Sequence, residues 1–291
     1  MANTINYAKN YVPLLDESYR LAALSSDLES PSELVRAGAN AKEIVVPKIS
    51  MDGLGDYSRS NGYANGDASL TWETRTFNYD RGRMFSIDAM DDEETQGTAF
   101  GRLAGAFIKQ KVAPEGDAFT FSKIASHAGI GSASADISTG EEALAALIVA
   151  KTEMDESEVP AQNRFLYITP TIHNLINGVD SYKSRAVLDS FFKIIDVPQT
   201  RFYTKVTLLD GSTDGQTAGG YVKTAATGKN LNFLIVHKDA VLVVNKHAVP
   251  KIILPDQNQD ADAYKYGYRK YGLVDVFDNK VKGVYAHEST T

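Results

Sequence analysis

The chain has 291 residues, of which 43% are hydrophobic and 23% charged, with a net charge of −7 and no cysteine. That length and apolar share suffice for one sizeable core or two modest ones and exclude wholesale disorder. The lack of cysteine excludes disulfides, thiolate metal sites and cysteine nucleophiles and fits a cytoplasmic origin. The acidic balance argues against tight nucleic-acid binding while permitting a wall that encloses nucleic acid. No apolar run reaches the roughly 18–20 residues needed to cross a bilayer, and the polar start Met1–Asn10 has no apolar signal core.

Residues 1–41 read as an arm. Tyr7, Tyr11, Leu14, Leu15, Leu21, Leu24 and Leu28 are scattered apolar anchors interrupted by Ser25, Ser26, Ser30, Pro31 and Ser32. Such a stretch has no compact core of its own and takes its apolar contacts from elsewhere; the alternative is a frayed terminus. Lys42–Asp52 reads as a strand, with Pro47 marking an edge or bend. A polar excursion follows, with Gly53, Gly55, Gly62 and Asn65-Gly66, the last pair being a tight-hairpin signal. The return run Ala68–Tyr79 is rich in Thr, Trp, Phe and Tyr, and alternates Leu70, Trp72 and Thr74 against Thr71, Glu73 and Arg75. This suits a two-stranded ribbon laid across something else, with Trp72 as a contact, since an isolated hairpin is marginal in water. The same residues also fit an ordinary meander inside one sheet.

Asp80-Arg81-Gly82 reads as a turn into a short strand, Arg83–Ala89. Asp91, Asp92, Glu93 and Glu94 then supply the negative charge that a helix N-terminus favours. Phe100, Leu103, Ala104, Phe107 and Ile108, and later Phe121, Ile124, Ala125 and Ala128, predict one long helix kinked at Pro114. From Glu93 to Ala128 it would span about 50 Å at ~1.5 Å per residue. Gly129–Ser134 reads as a small-residue hinge and Ser138–Glu141 as a capping box. The helix behind it carries Leu144, Leu147, Ile148 and Met154 on one face. Arg164–Ile168 reads as a strand, Thr169-Pro170 as a helix start, and Phe191–Ile195 and Arg201–Leu209 as further elements. Asp210–Gly220 is a flexible loop by composition. Leu231–Val236, Val249–Leu254, Tyr264–Phe277 and Val281–Ala286 are strand runs, with Ala240–Val244 ambiguous and Asp278-Asn279 a turn.

Signals for chemistry are weak. His127, His173, His237, His247 and His287 show no metal-binding spacing. The Asp88–Glu94 acidic cluster and Asp210–Gly215 both lack the calcium-loop pattern. Gly129-Ile-Gly131 lacks the third glycine of a dinucleotide loop, and neither GxxxxGK[ST] nor GxSxG occurs. Lys265–Lys270, interleaved with Tyr264, Tyr266, Tyr268 and Tyr271, admits a nucleic-acid face, but a sheet strand with one polar side explains it more simply. No catalytic, cofactor-binding or metal residue is therefore assigned, and no cofactor.

The order of parts, with Phe77–Asp91 followed by Glu94-Thr95, Lys111–Phe119, Tyr268–Phe277 and Lys282–Tyr285, resembles the major capsid proteins of tailed bacteriophages, the Hong Kong 97-type shell fold, and most closely those of phages of Gram-positive bacteria. The resemblance implies an α+β capsid fold: an N-terminal arm at 1–41, an extended β-hairpin loop at 42–82, a peripheral domain with a spine helix at 83–133 and 249–280, and an axial domain at 134–248 and 281–291. The Asp210–Gly220 loop is the candidate axial tip. It further implies a non-enzymatic subunit of the virion, assembled in the host cytoplasm as hexamers and pentamers around double-stranded DNA without sequence-specific binding. Implied partners are portal and decoration proteins and no membrane. Because the arm begins at Met1, a separate scaffolding protein is expected. Some members of that family crosslink through Lys, Asn and a Glu base. The late strand here holds Lys265 and Lys270 but no Glu, so no crosslink is expected. The rival expectations are an encapsulin-type compartment shell and a soluble α+β enzyme.

Overall fold

The computed structural model describes residues 23–30, 36–37, 42–60, 62–94, 98–179 and 186–290. Of the arm's expected anchors, Tyr7, Tyr11, Leu14, Leu15 and Leu21 lie outside these residues.

The first sheet is a ribbon. β2 (Glu43–Met51) and β3 (Ala68–Thr76) pair antiparallel over their full lengths, and the two-residue β1 (Arg36–Ala37) lies beside Val45 and Ile44. Pro47, beyond the reach of β1, therefore needs no hydrogen bond on that side and pairs only with Trp72. The ribbon and β1 form a sheet of their own, in the order β1-β2-β3. Asn65-Gly66 does not make the tight turn expected of it: neither residue has positive φ. The reversal instead sits at the Ser58–Gly62 bridge, where Gly62 takes φ +81°.

β4 (Tyr79–Asp88) runs straight through Asp80-Arg81-Gly82, contrary to the expected turn, and pairs with β12 (Ala263–Val276). Gly82 serves close approach there, because a Cβ would lie 2.9 Å from the Tyr268 carbonyl oxygen. β12 also pairs with β11 (Val241–Ile253), giving the order β11-β12-β4. β11 merges two runs that the sequence suggests are separate. It absorbs the break with a bulge between Asn245 and His247, and tolerates Pro250 because it is an edge strand.

The helical segment begins earlier than expected, at α1 (Ala89–Glu94), continues as α2 (Thr98–Phe107), and ends as α3 (Ala113–Ala125). Between α2 and α3 the chain widens into a π-turn at Ile108–Val112. Pro114 has no N–H to give to the preceding turn, and the π-turn lies directly before it, with Pro114 in the first turn of α3. Phe107, Ile108 and Val112 pack against Tyr266 and Tyr268 of β12.

A five-stranded sheet forms the centre, in the order β5-β13-β10-β6-β7: β5 (Gly131–Ser134), β6 (Arg164–Ile168), β7 (Lys193–Asp196), β10 (Leu231–His237) and β13 (Val284–Glu288). β6 and β10 are buried at every residue because both faces are covered. One face packs on α4 (Gly140–Glu156) and α5 (Pro170–Gly178) through Ala143, Leu147, Met154, Ile172 and Ile176. The other packs on α3 through Phe119, Phe121 and Ile124. The expected hinge at Gly129–Ser134 is in part the strand β5, parallel to β13. The capping box is real but one residue later, with Thr139 as cap and Glu142 reaching back. Ile148, expected on the buried face of α4, is exposed. β8 (Val206–Leu208) and β9 (Tyr221–Lys223) form a small hairpin. Among the described residues no helix is long and apolar enough to cross a membrane.

Candidate assembly surfaces

The ribbon changes character along its length. At its root, Ile44 (3% exposed) and Val46 (6%) pack on Leu242 and Leu273 of the β11-β12-β4 sheet. Arg75 pins the same end: its guanidinium reaches Glu73 (3.0 Å), Asp275 (3.0 Å) and Asp278 (2.7 Å). Beyond Val46 no residue of β2 is buried, and none of β3 is.

Register sorts the faces. Directly opposed residues share a face, so Ile44, Val46 and Lys48 lie with Arg75, Glu73 and Thr71, while Val45, Pro47, Ile49 and Met51 lie with Thr74, Trp72, Leu70 and Ala68. The first face anchors the root and turns polar outward. The second is apolar along the distal half, with Ile49 61%, Met51 71%, Leu70 57% and Trp72 44% exposed. At the tip, Leu54, Tyr57 and Tyr63 add to this exposed apolar area. A run of apolar side chains on one face of a cantilevered hairpin is the pattern of a surface completed by another molecule. The alternation of Leu70, Trp72 and Thr74 carries this signal in the sequence; which of the two faces would be anchored does not show there.

The described end of the arm behaves differently. Residues 23–30 lie on their own body, with Leu28 fully buried in the core shared by α3 and the central sheet. Asp117 of α3, itself fully buried, accepts the backbone N–H groups of Leu24 (3.1 Å) and Ser25 (3.0 Å) and the Ser25 hydroxyl (2.7 Å), and pairs with Arg201 at 3.1 Å. Burial pushes the Asp117 carboxyl upward in pKa, opposed by those hydrogen bonds and the Arg201 charge. Ser30 N–H donates to Val243 O, and the Ser30 hydroxyl accepts Val243 N–H. These residues therefore take their apolar contacts on their own subunit. Asp117 reads in the sequence as one more helix carboxylate, and its partners lie some ninety positions away.

The residues weighed for chemistry scatter. His173 lies 2.7 Å from Asp196, His127 faces Asp275 and Asp278, and His237 and His287 are buried, which lowers their pKa values. Among the described residues, no three metal-ligating side chains converge. Asp210–Gly220 is a tied-down loop: Asp210 accepts from the Ser212 and Thr213 N–H groups and the Thr213 hydroxyl, which hold its carboxyl down at about 2. Four glycines there adopt positive φ, and Arg83 donates to the Thr217 carbonyl. Of the Lys265–Lys270 stretch, Tyr266, Tyr268 and Lys270 are buried, with Lys270 over the Tyr79 ring, so the strand presents no continuous cationic face.

No protein-family model matches the chain, and no curated protein matches it by sequence. Solved structures match it over most of its length. The capsid structure of the cyanophage P-SCSP1u superposes with a TM-score of 0.58 at 13% identity, covering 93% of this chain and 89% of that one. The mature capsid of bacteriophage PhiM1 gives 0.58 at 9% identity, covering 86% and 83%. A virus-like particle from Pyrococcus furiosus gives 0.55 at 14% identity, covering 94% and 98%. At such identities what is shared is the path of the chain, and that path is the Hong Kong 97-type fold of tailed-phage capsid proteins.

Proposed function

We propose that this chain is a major capsid protein that assembles as hexamers and pentamers into an icosahedral shell enclosing double-stranded DNA, and that it has no catalytic role. The observation that carries the reading is the ribbon: a root fixed by Ile44, Val46 and Arg75, and a distal apolar face on which Ile49, Met51 and Leu70 are exposed among the described residues. The capsid fold supports it. In this reading 1–41 is the arm, 42–82 the extended loop, 83–133 and 249–280 the peripheral domain, and 134–248 and 281–291 the axial domain with Asp210–Gly220 at its tip. Scaffolding, portal and decoration proteins are its expected partners, and the virion, assembled in the host cytoplasm, its location. Weak contacts suffice individually, because closure of a shell multiplies them.

The test is deletion of Gly53–Gly66. Met51 pairs with Ala68 at the end of the ladder, so the cut leaves Asp52-Asp67 as a two-residue loop. The variant folds as a subunit and forms no closed shells; normal-sized particles in the electron microscope overturn the reading. A compartment shell holding cargo enzymes, of the encapsulin type, is the second reading, favoured by the likeness to the virus-like particle. Nuclease-protected DNA inside the particles supports the first, and folded protein cargo the second.

A further inference from the structure

β4 pairs with β12 along its whole length and has no strand on its other side among the described residues. Beyond the ladder to β12, no backbone–backbone hydrogen bond joins residues 80–87 to the rest of the described chain. In an antiparallel ladder about half of a strand's N–H and C=O groups point to each side, so a bare row of donors and acceptors remains along this edge. Exposed edges are commonly guarded by charged side chains. Here Arg81 is held by Glu115 (2.8 Å), and Arg83 donates to the Thr217 carbonyl (3.0 Å).

The edge opens into a groove of about 840 Å³ between the helical segment, β9 and the Asp210–Gly220 loop. Its charge is one-sided. Arg81 and Arg201 are neutralised by Glu115 and Asp117, whereas Arg83, Lys111 and Lys223 line the groove with no ion pair among the described residues. The other carboxylate in the groove, Asp210, is already held by its own loop. The chain as a whole carries −7, so a cationic groove beside an open strand edge runs against its net charge.

We propose that β4 takes an added strand from another polypeptide: an extended acidic segment whose backbone completes the ladder and whose carboxylates, at alternate positions, face Arg83, Lys111 and Lys223. Main-chain bonds supply affinity in this mode, and the alternate side chains supply selectivity. A nucleic-acid backbone would satisfy the cations but leave the strand edge bare, so the edge favours a peptide. The proposal is independent of what the particle encloses.

The probe is a short labelled peptide alternating glutamate and valine, titrated by fluorescence anisotropy against the full chain kept as unassembled subunits. Saturable binding is expected, weakened several-fold by each of Arg83→Glu, Lys111→Glu and Lys223→Glu and more than tenfold by all three. Thermal unfolding of these exposed-site variants should match the parent, and Arg83→Lys should retain binding. The same peptide with alternate amides N-methylated should not bind, and hydrogen exchange across Tyr79–Asp88 should slow only with the unmodified peptide. The proposal is overturned by absence of binding, by equal binding of the N-methylated peptide, by indifference to charge reversal, or by a thymidine oligonucleotide binding in the peptide's place.

Discussion

Replacing Ile49 and Leu70 together by serine separates what the ribbon does for its own subunit from what it does for a neighbour. The two residues are directly opposed in the β2–β3 ladder and are 61% and 57% exposed. Full burial of such a side chain is worth about 1.5–3 kcal/mol, so each has about 1–2 kcal/mol still to gain against another molecule. Losing about 3 kcal/mol for the pair weakens each intersubunit contact by about two powers of ten. The isolated subunit loses only their mutual cross-strand contact, about 0.2–1 kcal/mol. Ile44→Ala is the counterpart at the root. Ile44 is buried against Leu242 and Leu273, and its truncation costs about 2–4 kcal/mol of fold stability. Thermal unfolding by circular dichroism, paired with particle yield from sedimentation across a concentration series, reads both effects. The serine pair should unfold near the parent temperature and fail to sediment as particles, while Ile44→Ala should unfold several degrees earlier. If the serine pair assembles at the parent concentration, the apolar face is not an interface and the reasoning fails.

Three further outcomes follow from the same geometry. Asp117→Ala strands the Leu24 and Ser25 N–H groups and the Arg201 charge; it should cost about 3 kcal/mol and expose residues 23–30 to limited proteolysis, read by denaturant unfolding and by mapping the first cleavage site. His287 accepts a hydrogen bond from Asn232 at 3.0 Å in a buried site that lowers its pKa. Its contribution to stability is therefore complete above the unfolded value of about 6.5 and is lost as pH falls through the lower folded value; denaturant midpoints should drop between pH 7 and 5, and His287→Gln should flatten that slope. A Cβ at Gly131 would sit 2.5 Å from the Tyr285 ring, so Gly131→Ala should destabilise by about 1–3 kcal/mol in the same assay.

Local signals in the sequence were dependable where one element decides the outcome. The β-rich run around Trp72, the capping chemistry before α4, the Thr169-Pro170 helix start and the aromatic late strand all appear close to their expected places. The misreadings arise where a distant partner decides. Gly82 looks like a turn residue and is instead the point where β4 crosses close to Tyr268. The small residues at Gly131–Ser134 look like a hinge and are instead an edge strand fitted against Tyr285. Asn65-Gly66 loses the turn to Gly62 because the excursion is long enough to fold back at its own bridge. The Asp117–Leu24 and Arg75–Asp275 contacts join residues 93 and 200 positions apart, and no local pattern announces either.

The most direct measurement is an electron-microscopy reconstruction of particles formed by the purified chain. The account predicts a closed shell in which each β2–β3 ribbon crosses onto an adjacent subunit and Ile49, Met51, Leu70 and Trp72 are covered there. A solitary subunit that does not associate at any concentration, or a shell in which that face looks into solvent, contradicts it.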